Sequence, residues 1–110
     1  AQAQRQNLPD LSETPTSPIR VNVGDDIDID CVIKNRNNLT VLWKYLNGTS
    51  ESLLAANQVI VSDDKRLSVI HHEQQERWIL QIRFARVQDT GIYKCEVYQF
   101  YVDHYVVYKQ

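Results

Sequence analysis

Two cysteines, three histidines and a cluster of aspartates are the side chains of this 110-residue sequence best equipped for chemistry. A metal site, a thiol nucleophile or a calcium loop are the reactions they could serve. Cys31 and Cys95 lie far apart, unlike any C-x-x-C zinc or redox pattern, and read as a long-range disulfide. His71 and His72 are adjacent, so on a strand they point to opposite faces and cannot grip one ion together. His104 stands apart with no third ligand. Asp25, Asp26, Asp28 and Asp30 alternate with isoleucines, which makes them a solvated strand face in preference to a calcium loop. No serine nucleophile elbow, reactive Cys-His pair or glycine-rich phosphate loop is present. The expectation is therefore a protein that is not an enzyme, with no cofactor, no metal and no small-molecule substrate.

Composition narrows the partners. A formal charge of -2 with scattered Lys and Arg offers no basic stripe, so nucleic acid is not an expected partner. No apolar run approaches the ~20 residues that span a bilayer, and "AQAQRQNLPD" lacks the apolar core of a secretion signal. A disulfide implies an oxidising compartment, and the sequons "NLT" at Asn38 and "NGT" at Asn47 point the same way. The expected location is extracellular, secreted or on a cell surface, with glycans at Asn38 and Asn47.

These residues need strands to hold them. Residues 1 to 17 are polar, contain Pro9 and Pro15, and read as a flexible leader. From residue 18 to 110 the dominant period is two, that of half-buried strands. "DIDIDCVIK" sets Ile27, Ile29, Cys31 and Ile33 on one face; "TVLWKYL" sets Val41, Trp43 and Tyr45 inward and Leu42, Lys44 and Leu46 outward. "RLSVIHH", "RWILQIR", "IYKCEVY" and "HYVVYK" continue the series. "LLAANQVIV" gives two short runs split by Asn57 and Gln58, suited to extra edge strands. Eight or nine strands with polar turns predict an all-β antiparallel sandwich in one domain.

The inward Cys31, Trp43 on the next strand and "DTGIYKC" before the second sulfur together resemble the immunoglobulin variable-type (V-set) domain over roughly residues 19 to 109. The resemblance implies an inter-sheet disulfide covered by Trp43 and a tyrosine corner at Tyr93. It also implies a partly buried ion pair between Arg66 and Asp89, with Gly91 easing the turn. From Leu53 to Val97, "RLSVIH", Trp78, "LQIRF" and "DTGIYKCEV" are similar to first domains of the neuronal surface group. That group comprises the defective-proboscis-response proteins, their interacting partners, the lachesins and the LAMP/neurotrimin-like molecules. "YQFYVDHYVVYKQ" departs from that pattern and lacks the double-glycine bulge of antigen-receptor final strands.

What remains is apolar surface. By strict alternation Leu42, Lys44, Leu46, Lys94, Glu96 and Tyr98 face away from the core, with Leu54, Val59 and Val61 added to the patch. An aliphatic centre with a charged rim fits interface anatomy. The resemblance implies pairing with another immunoglobulin-domain cell-surface protein through this CC'C''FG sheet face, homophilically or heterophilically, including as a homodimer. An extracellular-matrix scaffold of one secreted domain is the alternative. Tyr98, Tyr101, Tyr105, Tyr108 and Phe100 are either contact anchors or good strand formers.

Overall fold

The computed structural model describes residues 8–109. Nine strands form: β1 (Ile19–Val21), β2 (Ile27–Val32), β3 (Val41–Asn47), β4 (Ser50–Ala56), β5 (Val59–Ile60), β6 (Leu67–His72), β7 (Arg77–Ile82), β8 (Gly91–Val97) and β9 (Phe100–Tyr108). Two one-turn 3-10 segments, Glu73–Gln75 and Val87–Asp89, join β6 to β7 and β7 to β8.

The strands divide into a six-stranded sheet in the order β1-β9-β8-β3-β4-β5 and a three-stranded sheet in the order β2-β7-β6. All neighbours are antiparallel except β1 on β9. The alternation in the sequence becomes the alternation of burial. In β2 the isoleucines and Cys31 are buried while Asp28 is exposed. In β8 Tyr93, Cys95 and Val97 are buried and Lys94 and Glu96 half-buried. Apolar side chains from the two inner faces meet as one core that includes Ile29, Trp43, Leu80 and Val106.

The disulfide joins Cys31 of β2 to Cys95 of β8 and so ties one sheet to the other. Trp43 lies directly across from Cys95 in the β3–β8 register and is wholly buried. The inter-sheet disulfide expected from the resemblance is present, and Trp43 shares the inward face with it, as the alternation of side chains along β3 and β8 requires.

The expected leader is a different matter. Residues 1–7 lie outside the described residues, but residues 8–17 are not a free tail. Asp10 and Lys34 exchange backbone hydrogen bonds of 2.9 Å, and Leu11 is buried in the core. Thr14 Oγ1 donates to the Val32 carbonyl at 3.1 Å and accepts from the Val32 N–H at 3.0 Å. One side chain thereby satisfies backbone groups at the open edge of β2, which would otherwise be exposed to pairing. Polar composition hid this contact, since it rests on one leucine and one hydroxyl.

Candidate functional site

Two clusters bear the residues singled out in the sequence, a corner at one end of the sandwich and the outer face of the large sheet. The corner is built first from "DTGIYKC". Tyr93 Oη donates to the Asp89 carbonyl at 2.6 Å inside the core, closing the tyrosine corner. Burial, with the Asp89 carboxylate second, pushes the Tyr93 phenol well above its ordinary range. The Arg66 guanidinium meets both Asp89 oxygens, at 2.7 and 2.8 Å, and also Asp64 at 2.7 Å. It donates further to the carbonyls of Arg83 and Phe84.

Burial raises the Asp89 carboxyl, but the hydrogen bonds from Arg66 and from the Arg86 N–H outweigh it and leave it below the usual carboxylate range. Such a closed bidentate pair is structural, and its charge is already matched. Gly91 has φ +147°, and a Cβ there would lie 2.8 Å from the Tyr45 ring and hydroxyl. Only glycine lets Tyr45 pass close enough for its Oη to reach the Thr90 carbonyl at 2.7 Å.

The outer face is set by register. Leu42 pairs with Glu96, Lys44 with Lys94 and Leu46 with Ile92. On β9, Tyr101, Asp103 and Tyr105 continue these three rows. On β4 the rows meet Ala56, Leu53 and Glu51, and Val59 of β5 follows Ala56. Leu42 and Leu46 are half-buried, whereas Leu53, Val59, Tyr101 and Tyr105 are exposed.

The charges on this face are linked to one another. Lys44 Nζ contacts Glu96 at 3.1 Å and Glu51 at 3.2 Å, and Lys94 Nζ reaches Glu51 at 3.3 Å. Desolvation lowers the Lys44 pKa, yet the hydrogen bonds it donates to the two glutamates more than offset it and the ammonium is held above its ordinary value. Lys94 also stands 4.7 Å over the Tyr101 ring, a cation–π contact.

Three expected members of the patch are placed differently. Leu54 does not face outward. A register shift between Trp43 and Lys44 puts Ala55 opposite Trp43 and Leu53 opposite Lys44, so Leu54 falls at the irregularity. It packs against the core, and Leu53 takes the outward place. Tyr98 is not on the face either, because it occupies the two-residue turn between Val97 and Phe100 with φ +58°. It is a hairpin-tip residue, 67% exposed. Val61 lies one residue beyond β5 and is exposed at the sheet's edge.

Glu51 is the member that the sequence reading missed. Its sequence signal was its place two residues before Leu53 on an alternating strand. The sequons are exposed at opposite ends of β3: Asn38 in the loop before it, Asn47 as its last residue. His71 stacks on Trp78 at 3.7 Å, with the Arg36 guanidinium 4.9 Å over the same ring, all remote from the face. Among the described residues no group of three or more His, Cys, Asp or Glu could hold a metal ion.

The arrangement of sheets, disulfide and corner can now be set beside known proteins. The family model of the immunoglobulin V-set domain matches residues 13–110. The chain belongs to the immunoglobulin V-set family. Among curated proteins none matches this V-set chain by sequence. Solved structures do match by fold. A chain of the RIG-5 IG1 homodimer superposes with TM-score 0.82 at 16% identity, covering 93% of this chain and 98% of that one. A chain of the complex of Dpr1 IG1 bound to DIP-eta IG1 gives TM-score 0.84 at 20% identity, covering 94% and 98%. A chain of Dpr2 Ig1-Ig2 in complex with DIP-Theta Ig1-Ig3 gives 0.77 at 22%, with 92% of this chain and 48% of that chain covered. The Dpr and DIP domains are those of the surface group that the motifs of this V-set chain resemble.

Proposed function

We propose that this V-set domain is an extracellular recognition module that docks, through the outer face of its six-stranded sheet, onto another immunoglobulin V-type domain of a cell-surface protein. The setting that best suits the resemblance is recognition between neuronal surfaces. The observation that carries the reading is the face itself: half-buried Leu42 and Leu46 at the centre, exposed Leu53, Val59, Tyr101 and Tyr105 around them, and lysines and glutamates that neutralise one another. Mutual pairing reduces the cost of dehydrating those charges relative to leaving them unpaired, and the apolar atoms gain from burial.

Its size is adequate. Six strands about 4.8 Å apart span roughly 24 Å, the four central ones seven to nine residues long and the outer two only three and two, and with side-chain relief the face is on the order of the ~800 Å² per partner of a standard interface. Solved relatives in fold include a homodimer and Dpr–DIP complexes, which fits pairing between domains of this type. Glycans on Asn38 and Asn47 would project from the two ends of β3 and frame the face without covering it.

Replacing Leu42 by Asp places a carboxylate at the desolvated centre. Binding in a screen against V-type ectodomains should fall by two orders of magnitude or more, about 3 kcal/mol. The thermal midpoint should move by only a few degrees, since Leu42 lies outside the core. Undiminished binding by this variant would move the contact to another surface.

A further inference from the structure

At one end of the sandwich, between the β2–β3 loop and the β6–β7 turn, lies a depression of about 180 Å³. Arg36 and Asn38 line it from the loop, and His71, Glu73 and Trp78 from the other side. Asn38 is also the first residue of the sequon "NLT". A possible attachment point and a small mixed polar and aromatic hollow therefore share one rim.

The turn that brings Asn38 there is fixed by its own residues. The Leu39 N–H donates to the Arg36 carbonyl at 3.0 Å, and the two residues between them, Asn37 and Asn38, have φ +56° and +63°. Asparagine tolerates this left-handed backbone better than most residues do. Arg36 Nη1 donates to the Leu39 carbonyl at 2.9 Å while its guanidinium stands 4.9 Å over the Trp78 ring, and Leu39 packs against the core. Asn38 is exposed, but the backbone that aims it is held on both sides.

The lining suits a pyranose. His71 has one ring face stacked on Trp78 and is itself half-buried. Desolvation first and the Arg36 charge second lower its pKa, so at neutral pH the imidazole is uncharged and offers one donor and one acceptor. Glu76 is engaged by Lys34 at 3.0 Å. The side chains of His71 and Glu73 make no hydrogen bond among the described residues. An N-acetylated sugar, with an apolar C–H face edged by hydroxyls and an amide, can cover the ring and use both groups.

We propose that this depression seats the first N-acetylglucosamine of a glycan carried on Asn38, held by His71 and Glu73. The contact lies against the three-stranded sheet, to which His71 belongs, and so turns the glycan away from the outer face of the six-stranded sheet. The proposal rests on "NLT" being a used glycosylation site and does not depend on what docks on the outer face.

The test uses protein secreted from cells that add only high-mannose glycans, trimmed by an endoglycosidase to one N-acetylglucosamine per sequon. Mass spectrometry reads occupancy at Asn38. Thr40→Ala removes that sugar alone and keeps the asparagine at its positive φ. The trimmed wild type should unfold about 3–6 °C above Thr40→Ala. In a His71→Ala background the same comparison should give less than about 1 °C, because the cycle isolates the contact from any general effect of the sugar on the unfolded chain. Nuclear Overhauser contacts should join the acetamide methyl to the His71 ring protons in the unmutated protein.

An Asn38 that is unoccupied in the secreted protein would overturn the seat together with the reading of the sequon. An occupied Asn38 with no Overhauser contact to His71, or with the same thermal gain in the His71→Ala background, would overturn the seat alone and leave the glycan projecting freely.

Discussion

His104 occupies a position on β9 opposite Tyr93, with its ring 5.6 Å from that of Trp43 and only 2% of its surface exposed. Neither its Nε2 nor Trp43 Nε1 has a hydrogen-bond partner among the described residues. Burial lowers the imidazole pKa to about 4, against a weaker pull upward from Asp103 and Asp30. The folded protein therefore keeps this histidine neutral where the unfolded chain protonates it. Stability is unaffected by it above pH 6.5, falls as pH drops from 6.5 to 4, and levels off below 4, where both states carry the proton. Between pH 7 and 5 the loss should be about 2 kcal/mol, measured by urea unfolding. His104→Leu should flatten most of that slope. His71, lowered first by desolvation and then by Arg36, adds in the same direction. An unchanged slope in the variant would place the titration elsewhere.

At the scale of the element, β4 decides the composition of the face. Its register against β3 shifts between Trp43 and Lys44, so two consecutive leucines receive opposite duties. Leu53 is exposed and Leu54 packs on the core, where it lines a small cavity with Tyr45, Tyr93 and Arg66. Leu53→Asp should weaken docking about tenfold or more and leave the unfolding midpoint within a few degrees. Leu54→Asp should instead destabilise the domain by about 2–4 kcal/mol, because it removes an apolar side chain packed on the core and sets a third carboxylate beside Asp64 and Asp89. Equal thermal midpoints for the two variants would contradict the register. The edges are also managed by elements: β1 covers one side of β9, and Thr14 closes part of β2.

For the molecule as a whole, the Cys31–Cys95 bond spans a sequence separation of 64 and adds a covalent tie between two sheets that also meet through their apolar inner faces and through polar contacts such as Gln58 to the Val69 carbonyl. Replacing both cysteines by alanine should cost about 2–5 kcal/mol in denaturant titrations. The variant should keep a β-type circular dichroism spectrum where it remains folded, since the alternation that builds each sheet does not involve sulfur. The docking face would survive in that fraction. Loss of all strand signal under native conditions would mean that the bond specifies the fold as well as stabilising it.

Sequence alone determined the two-layer architecture, the cysteine pair and the corner of Tyr93, Asp89 and Arg66. Side-chain direction in a strand alternates with every residue and can be read without knowing any neighbour, whereas the corner, with Arg66 lying 23 residues from Asp89, was legible through the resemblance to the V-set pattern. It also placed Leu42, Lys44, Leu46, Lys94 and Glu96 on one outward face, because β3 and β8 run without interruption. Only the tertiary structure decided that Leu53 and not Leu54 joins them, that Tyr98 turns at a hairpin tip, and that Glu51 closes the chain of charges. The same is true of Leu11 and Thr14, which dock a segment that composition marks as free, and of His104 in the core. Each of these depends on a register shift or on a contact between distant strands, and such long-range pairing is set by how whole faces fit together, beyond the pattern of any one strand.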